Sequence, residues 1–271
     1  MLQPAIKAAV ISTELTAYLT EGERLDEVSF RRYLRDIEAL KDPVAEDYLK
    51  ALVFGAYGRE DNAIAHFERS LQVCHNEVVA KNFLVYLSDF GSLTASFTKS
   101  VELAEKYVSP FIYQHAYENC IFVGRMDLAE KYYHSYAKLF SGEALESMDN
   151  KLDDVLFEVN AFKQSAGFSG LEYELLFQAL TQIMDSHKLH PLALKFYEIA
   201  EEKVNALVVV TKTPDVSLLA DMNVELAFSV AEHDCFMHKN FSLWFEAEEE
   251  QNTQHTGSAL FRVKRSRPHA S

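Results

Sequence analysis

Three glycines set the frame for this chain: Gly58, Gly91 and Gly124 stand 33 residues apart each time. A stretch with helical periodicity precedes each glycine and another follows it. In the first unit Ile64, Phe67 and Leu71 fall at i, i+3 and i+7, and in the third Leu128, Tyr132 and Tyr136 fall at i, i+4 and i+8. Such spacings put apolar side chains on one face of a helix. A helix–turn–helix unit of this length cannot bury its stripe alone and has to stack on its neighbours.

The residues around the glycines resemble the tetratricopeptide repeat. That family places a small residue and an aromatic in the first helix, Gly at the turn, Ala five residues later and an aromatic four beyond. Ala51, Phe54, Gly58, Ala63 and Phe67 match in the first unit, and Tyr117, Gly124, Ala129 and Tyr133 in the third. The middle unit departs, with Ser96 and Ser100 where Ala and an aromatic are expected. The family's first-helix Trp-Leu-Gly pattern is absent. The resemblance covers residues 44–143 and implies a groove built from the first helix of each pair. Its groove positions are Tyr48 and Leu52, then Lys81 and Val85, then Gln114, Glu118 and Phe122. Lys81 is the one basic residue among them, so the family's clamp for an acidic peptide terminus is not visible.

Few residues break the flanking helical patterns, since the whole chain has nine Gly and six Pro in 271 residues. Pro43, Pro110, Pro191 and Pro214 mark expected helix starts, because proline suits the first helical position. Asp42, Ser109 and Thr213 are the expected caps and His190 a weaker one. Residues 1–43 read as a helix pair that caps the stack, and 143–163, 168–187 and 190–205 as three further helices.

The pattern changes after 205. Ala206–Thr211 is β-branched and short, a buried strand. A helix to about Glu232 follows, then a strand over 241–246 with Phe241, Leu243 and Phe245 alternating. A last strand is expected over 259–265, forming a hairpin that sets Arg262 and Lys264 near Glu246, Glu248 and Glu249. The expected fold is therefore mainly α: a TPR-like α-solenoid of antiparallel helix pairs over 1–205, then a small β-α-β-β unit over 206–271. So small a sheet is marginal alone, so it either docks on 143–205 or forms a homodimer.

Charge narrows the partners. Lys and Arg total 26 against 41 Asp and Glu, a formal charge of −15. An acidic surface repels phosphate backbones and anionic bilayers, which disfavours nucleic acid and membrane and favours a neutral or basic protein or peptide. Cys74, Cys120 and Cys235 are odd in number and widely spaced, as reduced thiols in a cytoplasmic protein are. Glu14, Glu21 and Glu23 interrupt any apolar leader at the start of the chain, so no signal peptide is expected.

No pattern demands catalysis. His233, Cys235 and His238 form the densest metal-like cluster but lack a second cluster to complete a zinc site. His187 and His190 lack a third ligand, and the pairs His115/Glu118 and Glu130/His134 read as exposed helix neighbours. No nucleophile elbow or phosphate-binding glycine loop occurs. The sequence thus predicts a non-catalytic adaptor without cofactor or metal, one that neutralises or escorts a basic partner. The alternatives are a ligand-sensing regulator with C-terminal dimerisation, and an enzyme using residues 233–238.

Overall fold

Asp42 and Pro43 begin a helix as their chemistry requires. Proline has no N–H to leave unpaired, and the Asp42 carboxylate accepts from the amides of Val44 and Ala45 at 3.1 and 3.2 Å. In the computed structural model, which describes residues 4–141, 143–199, 204–248 and 260–262, helices punctuated in this way make up most of the chain. It divides into two compact units, one built on Met1–Gly91 and one on Ser92–Ser266.

The first unit holds α1 (Pro4–Glu21), α2 (Glu27–Glu38), α3 (Pro43–Tyr57), α4 (Glu60–Val73) and α5 (Glu77–Phe90). Helix α3 packs against α1, α2 and α4, and α4 against α5. The residues that carry the repeat resemblance serve this packing: Ala51, Ala63 and Phe67 have no exposed surface. The Phe67 ring stacks on Phe83 at 4.8 Å, joining α4 to α5.

The second unit opens with α6 (Leu93–Ala104), α7 (Pro110–Phe122) and α8 (Met126–Ala137), followed by α9 (Glu143–Ala166) and α10 (Gly170–Ser186). Helices α7 and α8 form a close pair, with Ala129 and Tyr133 buried and the Tyr133 ring edge-on to Tyr117 at 5.3 Å. Ser96 and Ser100, the departures from the repeat pattern, are both fully buried. Their hydroxyls each accept from the Asn119 side-chain amide at 3.2 Å, so α6 meets α7 through a polar cluster. The middle repeat also differs at its turn. Gly58 and Gly124 take left-handed φ of 88° and 76°, as a helix C-cap favours, whereas Gly91 is extended at φ −86°. The division between the two units falls at this turn.

The sheet follows, from β1 (Pro191–Ile199), β2 (Val204–Thr211), β3 (Ser242–Ala247) and β4 (Leu260–Arg262), in the order β3-β2-β1-β4. Helix α11 (Val216–Ala231) links β2 to β3, which run parallel, while β1 is antiparallel to β2 and β4. Residues Asn205–Thr211 of the central β2 are all buried. Helix α9 lies on β1 and β2, with Phe162 at 5.6 Å from Phe196, and α10 packs on α11.

Three expectations need correction here. Residues 191–199 form a strand and not part of a helix over 190–205. Leu192, Ala193, Leu194 and Lys195 favour a helix locally, but pairing with the β-branched run of β2 overrides that preference. Pro191 instead occupies the first strand position, where its missing N–H costs no ladder bond, and the sheet begins well before residue 206. The expected hairpin between 241–246 and 259–265 does not form either, because β3 and β4 lie at opposite edges. Glu246 pairs instead with Lys195 at 2.7 Å; Lys264, Arg265 and Glu249 lie outside the described residues. The caps also differ: Ser109 makes no capping bond, and Asp215 rather than Thr213 caps α11 by accepting from Ser217 and Leu218.

Gly124 tests the packing. A Cβ there would come within 2.6 Å of the Phe177 ring on α10, at a backbone conformation that side chains resist. Gly124→Ala is therefore expected to destabilise the fold by about 2–4 kcal/mol, from strain plus overpacking. Urea unfolding followed by circular dichroism measures it.

Candidate functional site

The first unit contains a groove of about 60 Å³ lined by its first, third and fifth helices. Its apolar surface comes from Leu19 of α1, Leu52 of α3, and Val85, Tyr86 and Phe90 of α5. Thr16 and Thr20 supply polar groups from α1, and Asn82 and Asp89 from α5. These helices approach closely at Gly55, where any Cβ would sit 2.7 Å from the Tyr86 ring. Arg24 tightens the same end: its guanidinium donates to the Gly55 carbonyl at 3.3 Å and lies 5.9 Å from the Phe90 ring centre.

A polar crossbeam joins the three helices beside the groove. The Asn82 amide of α5 donates to the Tyr48 hydroxyl of α3 at 2.6 Å, and that hydroxyl lies 3.2 Å from Ser12 Oγ of α1. Either hydroxyl can donate in the contact between Tyr48 and Ser12. Burial pushes the Tyr48 hydroxyl above its ordinary pKa.

The structure brings some of the predicted positions together. Leu52 and Val85 line the groove, with Leu52 buried and Val85 half-buried. Tyr48 stands behind it as a brace, through Asn82. Lys81 is on the same helix but pairs with Glu77 one turn back at 2.6 Å. In the second unit, Gln114 donates to Glu118 at 2.8 Å. Glu118 and Phe122 are 7% and 5% exposed. The expectation of Glu118 as an exposed helix neighbour is thus corrected: the residue is buried, and its carboxylate accepts from the Gln114 amide among its contacts.

His187 contacts Glu225 of α11 at 3.0 Å. In the 233–238 segment, Cys235 and His238 are exposed while Phe236 is buried. Among the described residues no three His, Cys, Asp or Glu side chains converge in a metal-binding group. All three cysteines are unpaired thiols, and burial pushes Cys120 up to about 12, so it stays protonated at neutral pH. His66 and Asp47, which sequence reasoning did not single out, meet at 2.7 Å, with Arg69 3.2 Å from the same carboxylate. Burial is the main influence on both groups. It lowers the His66 pKa, while for Asp47 the bonds to His66 and Arg69 outweigh it and hold the carboxyl below its usual range. The cluster ties α3 to α4.

Comparisons of the chain with protein-family models, with curated proteins and with solved structures gave no match. No described helix is long and apolar enough to cross a membrane.

The crossbeam yields a direct expectation. Tyr48→Phe leaves the ring packed but strips the Asn82 amide of its partner, which costs about 1–2 kcal/mol. Thermal unfolding should register the loss, and amide exchange should quicken at the facing turns of α1 and α5. An unchanged melting temperature with unchanged exchange would show that the bonds do not brace the helices.

Proposed function

We propose that the chain is a non-catalytic protein-interaction module of tetratricopeptide-like repeat type, working in the cytoplasm and holding a peptide segment in the groove of its first unit. One observation carries the reading: alternate helices α1, α3 and α5 together line one groove with both apolar and polar side chains. In the tetratricopeptide architecture these are the first helices of successive pairs. Stacked helices of this kind offer many shallow contacts, which suits an extended peptide or a partner helix better than a compact substrate.

The groove's chemistry describes its occupant. Leu19, Leu52, Val85 and Phe90 would take an apolar side chain, and the Asn82 and threonine groups would bond to a peptide backbone. Asp89 is the only charged group in the lining, and the first unit carries 10 Lys and Arg against 15 Asp and Glu over residues 1–91. An acidic segment would be repelled, so a neutral or basic one is the expected ligand. Encounter with a basic segment should slow as salt rises.

Val85 is the position to test, because it is half-buried in the groove wall and makes no polar bond. Peptides selected from a displayed random library against the whole protein should share one apolar residue and lack clustered acids. Fluorescence anisotropy with such a peptide should show Val85→Arg weakening binding by about tenfold or more, with the melting temperature within about 2 °C of the parent's. Equal binding by the variant, or selection of acid-rich peptides, would remove the groove assignment.

A further inference from the structure

Helix α11 is apolar on two sides. Leu219, Met222 and Leu226 face inward and are buried. Val216, Val224 and Phe228 point outward with 76%, 55% and 69% of their surface exposed. Exposed Ala220, Ala227 and Ala231 fall between them on the helical wheel. Apart from the exposed Ser217 in the first turn, the outward arc is thus an apolar stripe along the helix, of the kind that marks a contact surface.

Its orientation is fixed from the other side. Asn223 bonds to both backbone groups of Phe245 on β3: the Phe245 amide donates to Asn223 Oδ1 at 2.7 Å, and Asn223 Nδ2 donates to the Phe245 carbonyl at 3.1 Å. That pair locks the roll of α11, so the stripe cannot turn inward. Along the other border of the stripe lie Asp221, Glu225 and Glu232, all exposed, with Glu225 also in contact with His187.

We infer that this face of α11 docks an amphipathic helix whose apolar stripe covers Val224 and Phe228 and whose Lys or Arg edge lies over Asp221, Glu225 and Glu232. A helix laid on an apolar face is an established mode of recognition, with charge at the rim setting register and partner choice. A second copy of α11 fits the face poorly. In an antiparallel two-fold pairing, the acidic border of one helix falls beside the acidic border of the other. In a parallel pairing, each acidic border meets the side occupied by Asn223 and β3. Basic charge on the incoming helix removes the first conflict. This site belongs to the second unit and is independent of the groove described above.

Two synthetic helical peptides of α11's length are the probes, each with a leucine stripe, one edged with lysine and the other with glutamate. Titrated against the whole protein by isothermal calorimetry, the lysine peptide should bind about tenfold or more tighter than the glutamate peptide. Phe228→Ser and Val224→Ser should each weaken it severalfold without altering the melting temperature, since both side chains are exposed. Asp221→Lys with Glu232→Lys should reverse the preference, whereas Asp61→Lys on α4 should change nothing. Equal binding of both peptides, indifference to Phe228→Ser, or an equal effect of Asp61→Lys would overturn the inference. So would a dimer in sedimentation that Phe228→Ser dissolves, because the face would then serve self-association.

Discussion

Burial of α3 on nearly every side is the constraint on which the first unit depends. Leu49, Ala51, Leu52, Val53 and Ala56 are each at most 3% exposed. A helix can be enclosed in this way only if its neighbours come close, and small side chains allow that. Gly55 is the extreme case, with the Tyr86 ring occupying the space of a Cβ. The same close approach brings α1 and α5 within reach of a single tyrosine hydroxyl. The groove follows from this arrangement: it is the space left where three helices are held side by side and their apolar surfaces are not fully consumed.

Polar groups add register to this packing. Tyr48 with Ser12 and Asn82 in the first unit, and Asn119 with Ser96 and Ser100 in the second, are side-chain networks between helices that apolar contact alone would leave free to slide. Buried polar groups are costly unless satisfied, so each network favours the one alignment that satisfies it. Asn223 does the equivalent at the sheet edge, holding α11 at a fixed roll against β3. The two surfaces proposed for binding are each positioned by such a network, although one is a groove between helices and the other a single helix face.

Much of the helical architecture is legible in the residues because its determinants are local. Asp42-Pro43 starts α3, Gly58 and Gly124 end their helices in left-handed turns, and Ala63, Phe67, Ala129 and Tyr133 fill the buried positions that the repeat pattern assigns them. The strand at 191–199 was not legible, since Leu, Ala, Lys and Glu carry helical preference and only pairing with a later segment makes them β. The inward position of Glu118 was hidden because Gln114, one turn away, is also the neighbour an exposed glutamate would have. At the groove, Leu52 and Val85 are positions that the tetratricopeptide resemblance implies, and both stand in its lining. The bracing role of Tyr48 was not legible, because Ser12 and Asn82 lie 36 and 34 residues away in the chain.

The central claim is that α1, α3 and α5 together form a peptide-binding surface. Methyl-labelled nuclear magnetic resonance of the whole protein, titrated with a library-selected peptide, tests it most directly. The account predicts saturable shifts at the methyl groups of Leu19, Leu52 and Val85 together, one from each helix, while Leu103 in the core of the second unit stays still. Saturation without movement at those three methyls would place the peptide elsewhere and contradict the claim.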